Sequence, residues 1–141
     1  MISEELKKLI EKYNSQGKMQ YRDGVTEEQI TAFEKEHGVT LPEKYKEWLQ
    51  YSDGGYLFLP AGIQLYGVAH KPMIKNDDMD RPNDNYIVIG ALSTGDPVLC
   101  EMIGERISIY NHEAGRIEPD EIYPDFIAFI SDLSGILGLE D

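Results

Sequence analysis

Three histidines, one cysteine and 26 acidic side chains are the groups with which this chain could do chemistry. The histidines, His37, His70 and His112, lie far apart, and none has a second His or Cys at a metal-ligand spacing. His37 falls in a last helical turn, where a cation suits the helix dipole and can bond the final carbonyls. That structural role accounts for it. Asn76-Asp77-Asp78-Met79-Asp80 invites a calcium reading, because Asn76, Asp78 and Asp80 take the first, third and fifth positions of an EF-hand loop. The sixth position is then Arg81 where Gly is needed, and the twelfth is Ile87 where a bidentate Glu is needed. The stretch therefore reads as a solvated acidic loop. Cys100 and His112 with an acid would make a thiol-nucleophile set. Cys100, however, lies in the run Val98 to Ile103, which reads as a strand and lacks the helix N-terminus that lowers a thiol pKa. A core thiol is the expectation. Ser93-Thr94-Gly95-Asp96 lacks the Gly-Lys-Ser/Thr ending of a phosphate loop and runs into Pro97. Carboxylates are too abundant for any two of them to mark a glycosidase-like site. No catalytic residue, metal or cofactor is expected.

The net charge is −13, and it is unevenly placed. Residues 1–50 carry 10 acids and 8 bases; residues 51–141 carry 16 acids and 5 bases. The second part should project a negative field that repels nucleic acid and anionic membrane and steers basic partners in. Solubility alone is the plainer reason for such a charge. Basic residues are few past residue 50 and do not interleave with aromatics, so nucleic-acid binding is not expected. Mimicry of a nucleic acid is a separate matter, since clustered carboxylates can occupy the groove a nuclease reserves for phosphate. At 141 residues, 41% hydrophobic and 28% charged, the chain suits one globular domain, expected over 1–141. No run approaches the roughly 18 apolar residues of a membrane span. No basic segment precedes an apolar one at the start, and the lone cysteine cannot form an internal disulfide. Both point to a reducing, cytoplasmic setting.

The elements that must position these groups are organised around Val25 to Gly55. Thr26 and Gln29 have the spacing of a capping box, and Val25 and Ile30 that of a hydrophobic staple. Ile30, Phe33 and His37 share a helical face. Gly38 can end that helix in the left-handed conformation. Leu41-Pro42 starts another, with Tyr45, Trp48 and Leu49 as its apolar stripe. Asp53-Gly54-Gly55 stops it. The two helices should pack at a corner, because only a few residues separate them.

An earlier helix is expected behind Ser3, with Ile2, Leu6, Leu9, Ile10 and Tyr13 at helical spacing and an end at Asn14 to Gly17. Lys18 to Gly24 reads as a polar connection. After Gly55 the period changes. Strands are expected at Tyr56–Leu59, Ile63–Val68, Tyr86–Ile89, Val98–Ile103 and Arg106–Tyr110. His70 to Asn85 is a long polar connection, Gly104-Glu105 a tight hairpin, and Asn111 to Gly115 a turn. Tyr123, Phe126, Ile127, Ile130, Leu133 and Leu137 mark a closing helix. The fold class is α+β: a mainly antiparallel sheet with helices packed on one face, N-terminal helices and a C-terminal closing helix.

The pattern Ile30-x-x-Phe33-Glu34, Gly38-x-x-Leu41-Pro42-x-x-Tyr45-x-x-Trp48-Leu49, Gly54-Gly55 resembles the SUKH superfamily of Smi/Knr-like domains. Ile87-Val88-Ile89-Gly90 followed by Gly95-Asp96 is similar to a later family segment. Asp125-Phe126-Ile127-Ala128-Phe129-Ile130 is similar to its closing helix, with Asp125 where Ser is usual. The resemblance implies an α+β binding module without catalytic residues. Many bacterial members are immunity proteins that block a secreted polymorphic toxin, often a nuclease, in the producer's own cytosol; a eukaryotic branch acts in cell-wall and signalling regulation. The compact length fits the bacterial branch.

Composition and resemblance together lead to an immunity protein that binds a cognate toxin with a basic surface. The candidate contacts, taken from charge and from no family motif, are Asp77, Asp78, Asp80, Asp84, Asp96, Glu105, Glu113, Glu118, Asp120 and Glu121. For each one alone, an ordinary solvated turn is the competing account. The alternative function is a cytosolic regulatory or scaffold module binding another protein. A hydrolase assembled from scattered acids is the third.

Overall fold

The computed structural model describes residues 3–59, 62–68, 85–101 and 104–133. Helix α1 (Glu4–Asn14) is followed by strand β1 (Lys18–Gln20), helices α2 (Glu27–His37) and α3 (Glu43–Tyr51), and strands β2 (Gly55–Leu59) and β3 (Ile63–Leu65). Strands β4 (Tyr86–Leu92), β5 (Pro97–Glu101), β6 (Ile107–Asn111) and β7 (Arg116–Tyr123) lead into helix α4 (Phe126–Ser131). The seven strands pair in sequence order, every pair antiparallel. The fold is α+β.

Local chemistry dictates the helical corner. The Thr26 side chain accepts the Gln29 amide, and the Gln29 side chain accepts the Thr26 amide at 2.9 Å, so the capping box is complete. Val25 and Ile30 are both buried, as a staple requires. Gly38 ends α2 at φ 66°, in the left-handed region. Glu34 supplies the tie that sequence patterning does not explain. Its carboxylate accepts the Leu41 amide at 2.7 Å and meets the Lys46 ammonium at 3.1 Å, so α2 holds the start of α3. Tyr45 and Trp48 then fix α3 to the sheet. The Tyr45 hydroxyl donates to the Tyr66 carbonyl at 2.5 Å, and the Trp48 indole N–H donates to the Gly54 carbonyl at 3.0 Å. Gly54 runs at φ 85°, and a Cβ there would lie 2.5 Å from the Leu65 carbonyl oxygen. Asp53, buried beside it, accepts the Val68 amide at 2.7 Å.

The sheet is closed on both faces at its centre. Ile87, Cys100, Ile107 and Tyr123 form one cross-strand row, and Tyr123 meets the Phe129 ring of α4, so this row faces the helices. Val88, Leu99, Ser108 and Ile122 form the adjacent row on the other face. Val88, Leu99 and Ser108 are nonetheless buried; exposure returns only at Ile122. Packing on one face thus describes the helices but not the whole core.

Two strands depart from the sequence reading. Lys18–Gln20, read as part of a connection, forms the edge strand β1, whose three residues show little apolar alternation. Arg116–Tyr123 forms the other edge, β7, despite Pro119 and its charges. A proline without an N–H is tolerated where one side of a strand has no ladder to join. Of the closing helix, α4 covers Phe126–Ser131, and Leu137 lies outside the described residues.

Candidate functional site

The β4–β5 and β6–β7 turns lie together at one end of the sheet, and a single carboxylate joins them. Asp96 accepts the His112 backbone N–H at 3.1 Å and lies 2.5 Å from the ring Nδ1. Its second oxygen meets the Thr94 hydroxyl at 3.4 Å. Asn111 braces the β6–β7 turn: its side-chain oxygen accepts the amides of Glu113 and Ala114, and its Nδ2 donates to Glu118 at 2.6 Å.

Strand β7 then leaves the regular ladder. Ser108 pairs with Ile122 and Tyr110 with Ile117, so residues 118–121 oppose Ile109 alone. This four-residue bulge carries Glu118, Asp120 and Glu121. Burial raises the Glu121 carboxyl above its ordinary range, and repulsion from Glu118, Asp96, Asp120 and Asp132 raises it further. Asp132, just past α4, was not among the sequence candidates; it accepts the Tyr123 hydroxyl at 3.1 Å. Burial and this hydrogen bond together push the Tyr123 phenol up. The available signal was an acid between Ile130 and Leu133 of the apolar stripe, which periodicity alone assigns to the solvent side of a helix.

The sequence candidates therefore divide. Asp96, Glu118, Asp120 and Glu121 converge. Glu113 is exposed on the adjoining turn. Glu105 does something else: its carboxylate accepts the Glu43 amide at 2.8 Å and the Lys44 amide at 3.3 Å, capping α3, whose own N-cap is Pro42 with no side-chain acceptor. Asp77, Asp78, Asp80 and Asp84 lie outside the described residues.

The family-pattern residues serve the core. Ile30, Phe33, Leu41, Tyr45, Trp48 and Leu49 are buried, and Gly38, Gly54 and Gly55 occupy left-handed backbone. A groove of about 310 Å³ does run between α2 and α3. Most of its charges are tied within the chain: Lys46 bridges Glu34 and Glu43, and Glu47 takes the Ser3 amide and Lys44. Burial alone would lower Lys46; hydrogen bonding to Glu34 and its charge outweigh that and raise it. Cys100 is fully buried, which pushes its thiol up to about 12, with Glu101 and Glu105 adding to the shift. A thiol held protonated at neutral pH is a poor nucleophile. Among the described residues, no three His, Cys, Asp or Glu side chains converge to hold a metal, and no helix is long and apolar enough to cross a membrane.

Residues 24–132 match the family model described as SMI1 / KNR4 family (SUKH-1). The match runs from the residue before Val25 to Asp132, and so takes in the capping box, the corner and strands β2 to β7. A comparison with curated proteins finds no match.

Proposed function

Because the chain belongs to the SMI1 / KNR4 family (SUKH-1), we propose that it is an immunity protein. It binds a cognate bacterial polymorphic toxin stoichiometrically in the producer's cytosol and blocks it without covalent chemistry. The observation that carries this reading is the placement of Asp96, bonded to His112, Glu118, bonded to Asn111, and the bulge residues Asp120 and Glu121 at one end of the sheet. Like charges held together oppose folding, and a basic partner relieves them. The occupant is then a cationic protein surface such as the substrate cleft of a nuclease. Opposite fields speed encounter, and carboxylates can stand where phosphates would. Asp77, Asp78, Asp80, Asp84 and Glu113 are assigned to the same field through their charge alone. Glu105 is assigned to the scaffold.

The test is co-expression with the product of the adjacent reading frame. The wild type should restore growth and elute with that product as a stoichiometric complex. The combined Glu118→Gln, Asp120→Asn, Glu121→Gln variant should associate roughly tenfold more slowly at low salt, with the difference shrinking as salt rises. A neighbouring product that is not toxic, or toxicity that this chain does not relieve, overturns the reading and favours the scaffold alternative.

A further inference from the structure

Ile122 ends the Glu118-Pro119-Asp120-Glu121 bulge and is 43% exposed, the large apolar side chain left open among the described residues. It sits where the buried row Val88, Leu99, Ser108 reaches the sheet edge. Its cross-strand neighbour is the small Ser108, so no larger side chain covers it from β6. Among the described residues β7 pairs only with β6, leaving its outer side as a sheet edge.

Two occupants of this edge are disfavoured on physical grounds. A partner strand needs a continuous row of N–H and C=O groups. The bulge breaks that row, and Pro119 has no N–H to give. A second copy of this chain would set Glu118, Asp120 and Glu121 against their own equivalents, and like charges facing each other repel. What fits is a surface that meets the edge through side chains and carries the opposite charge.

We infer that Ile122 is the apolar anchor of a protein-docking edge, and that its occupant is a protein surface with an apolar socket flanked by Lys and Arg. The inference rests on the reading that the partner is a basic protein, and adds where and how it docks. Ile122, desolvated at the centre, sets the lifetime of the complex. The carboxylates at the rim set the rate of encounter.

The test uses two synthetic probes of equal charge: an oligolysine, and the same peptide with one central leucine. Binding is followed by backbone amide NMR on the full chain. The leucine peptide should bind roughly tenfold tighter, the effect of burying part of one aliphatic side chain. It should shift the amides of Ser108, Ile117, Glu118 and residues 120–123. Ile122→Ser should erase that preference, Ile122→Leu should keep it, and the combined variant Glu118→Gln, Asp120→Asn, Glu121→Gln should weaken both probes. Native amide dispersion in each variant establishes that the edge is intact. Equal affinity for the two probes, or a preference that survives Ile122→Ser, overturns the inference. Neither probe is a toxin, so that result would leave the immunity reading to the growth experiment alone.

Discussion

The Glu105 carboxylate accepts the backbone N–H of Glu43 at 2.8 Å, across 62 positions of sequence. Helix α3 begins at a proline and has no capping side chain of its own, so a hairpin tip of the sheet supplies the acceptor. Glu105→Ala should therefore destabilise the fold by about 1 kcal/mol, the usual effect of losing a cap. Glu113→Ala, on an exposed turn, should stay within about 0.5 kcal/mol. Urea unfolding of the two variants measures the contrast. Equal losses would mean that Glu105 is not a working cap.

Two carboxylates should bend the pH dependence of stability in opposite directions. The Glu121 carboxyl lies above its ordinary value of 4.5, raised first by burial and then by neighbouring acids. The folded state holds that proton at a pH where the unfolded chain has lost it. Its contribution to stability therefore falls as pH rises from the unfolded value through the folded one. Glu121→Gln should gain stability at neutral pH and flatten that fall.

Glu47 has the opposite sign. Burial alone would raise it, but the hydrogen bond from the Ser3 amide and the charge of Lys44 outweigh that and lower it. Its stabilisation is present above the unfolded value and is lost as pH falls through the folded one. Urea midpoints from about pH 3 to about pH 8, wild type against Glu47→Gln, should separate below the ordinary glutamate range less than above it.

Two left-handed glycines should respond differently to alanine. Gly38 has φ 66° and open space where a Cβ would go, so Gly38→Ala should cost only the backbone penalty of about 1 kcal/mol. Gly54 has φ 85° and the Leu65 carbonyl oxygen 2.5 Å from its would-be Cβ. Gly54→Ala adds a clash to the penalty and should cost roughly 3 kcal/mol or more. Thermal unfolding of both variants distinguishes steric from purely conformational strain.

Tyr45→Phe leaves the buried Tyr66 carbonyl without its phenolic donor at 2.5 Å. The expected loss is about 1 to 3 kcal/mol, with little change in the unfolding slope against urea.

What the sequence made legible was local. The capping box of Thr26 and Gln29, the staple of Val25 and Ile30, and the stop at Gly38 each depend on residues within a few positions, and all are present. The stripe of Tyr45, Trp48 and Leu49 is buried as its period implies. What escaped depends on distant pairing. Glu105 as the cap of α3 requires knowing that a hairpin folds back over a helix 62 positions earlier. Strand β7 escaped because Pro119 and its charges erase the alternation that marks a strand, and an edge strand can dispense with it. Within the acidic set, charge alone could not tell that Glu105 caps α3, nor point to Asp132 beside Tyr123.

The neighbour-to-neighbour order of the strands has a kinetic consequence. The β2–β3, β4–β5, β5–β6 and β6–β7 pairs close short loops, so those parts of the ribbon can form with little chain entropy lost, whereas β1–β2 spans α2 and α3 and β3–β4 spans residues 66–85. The contact that joins the two ends is of another kind: the Tyr13 hydroxyl donates to the Ile130 carbonyl across 117 positions. A clasp between α1 and α4 of that span forms only after the ribbon has brought them together. Removing its hydroxyl should hasten unfolding while leaving the rate of folding almost untouched.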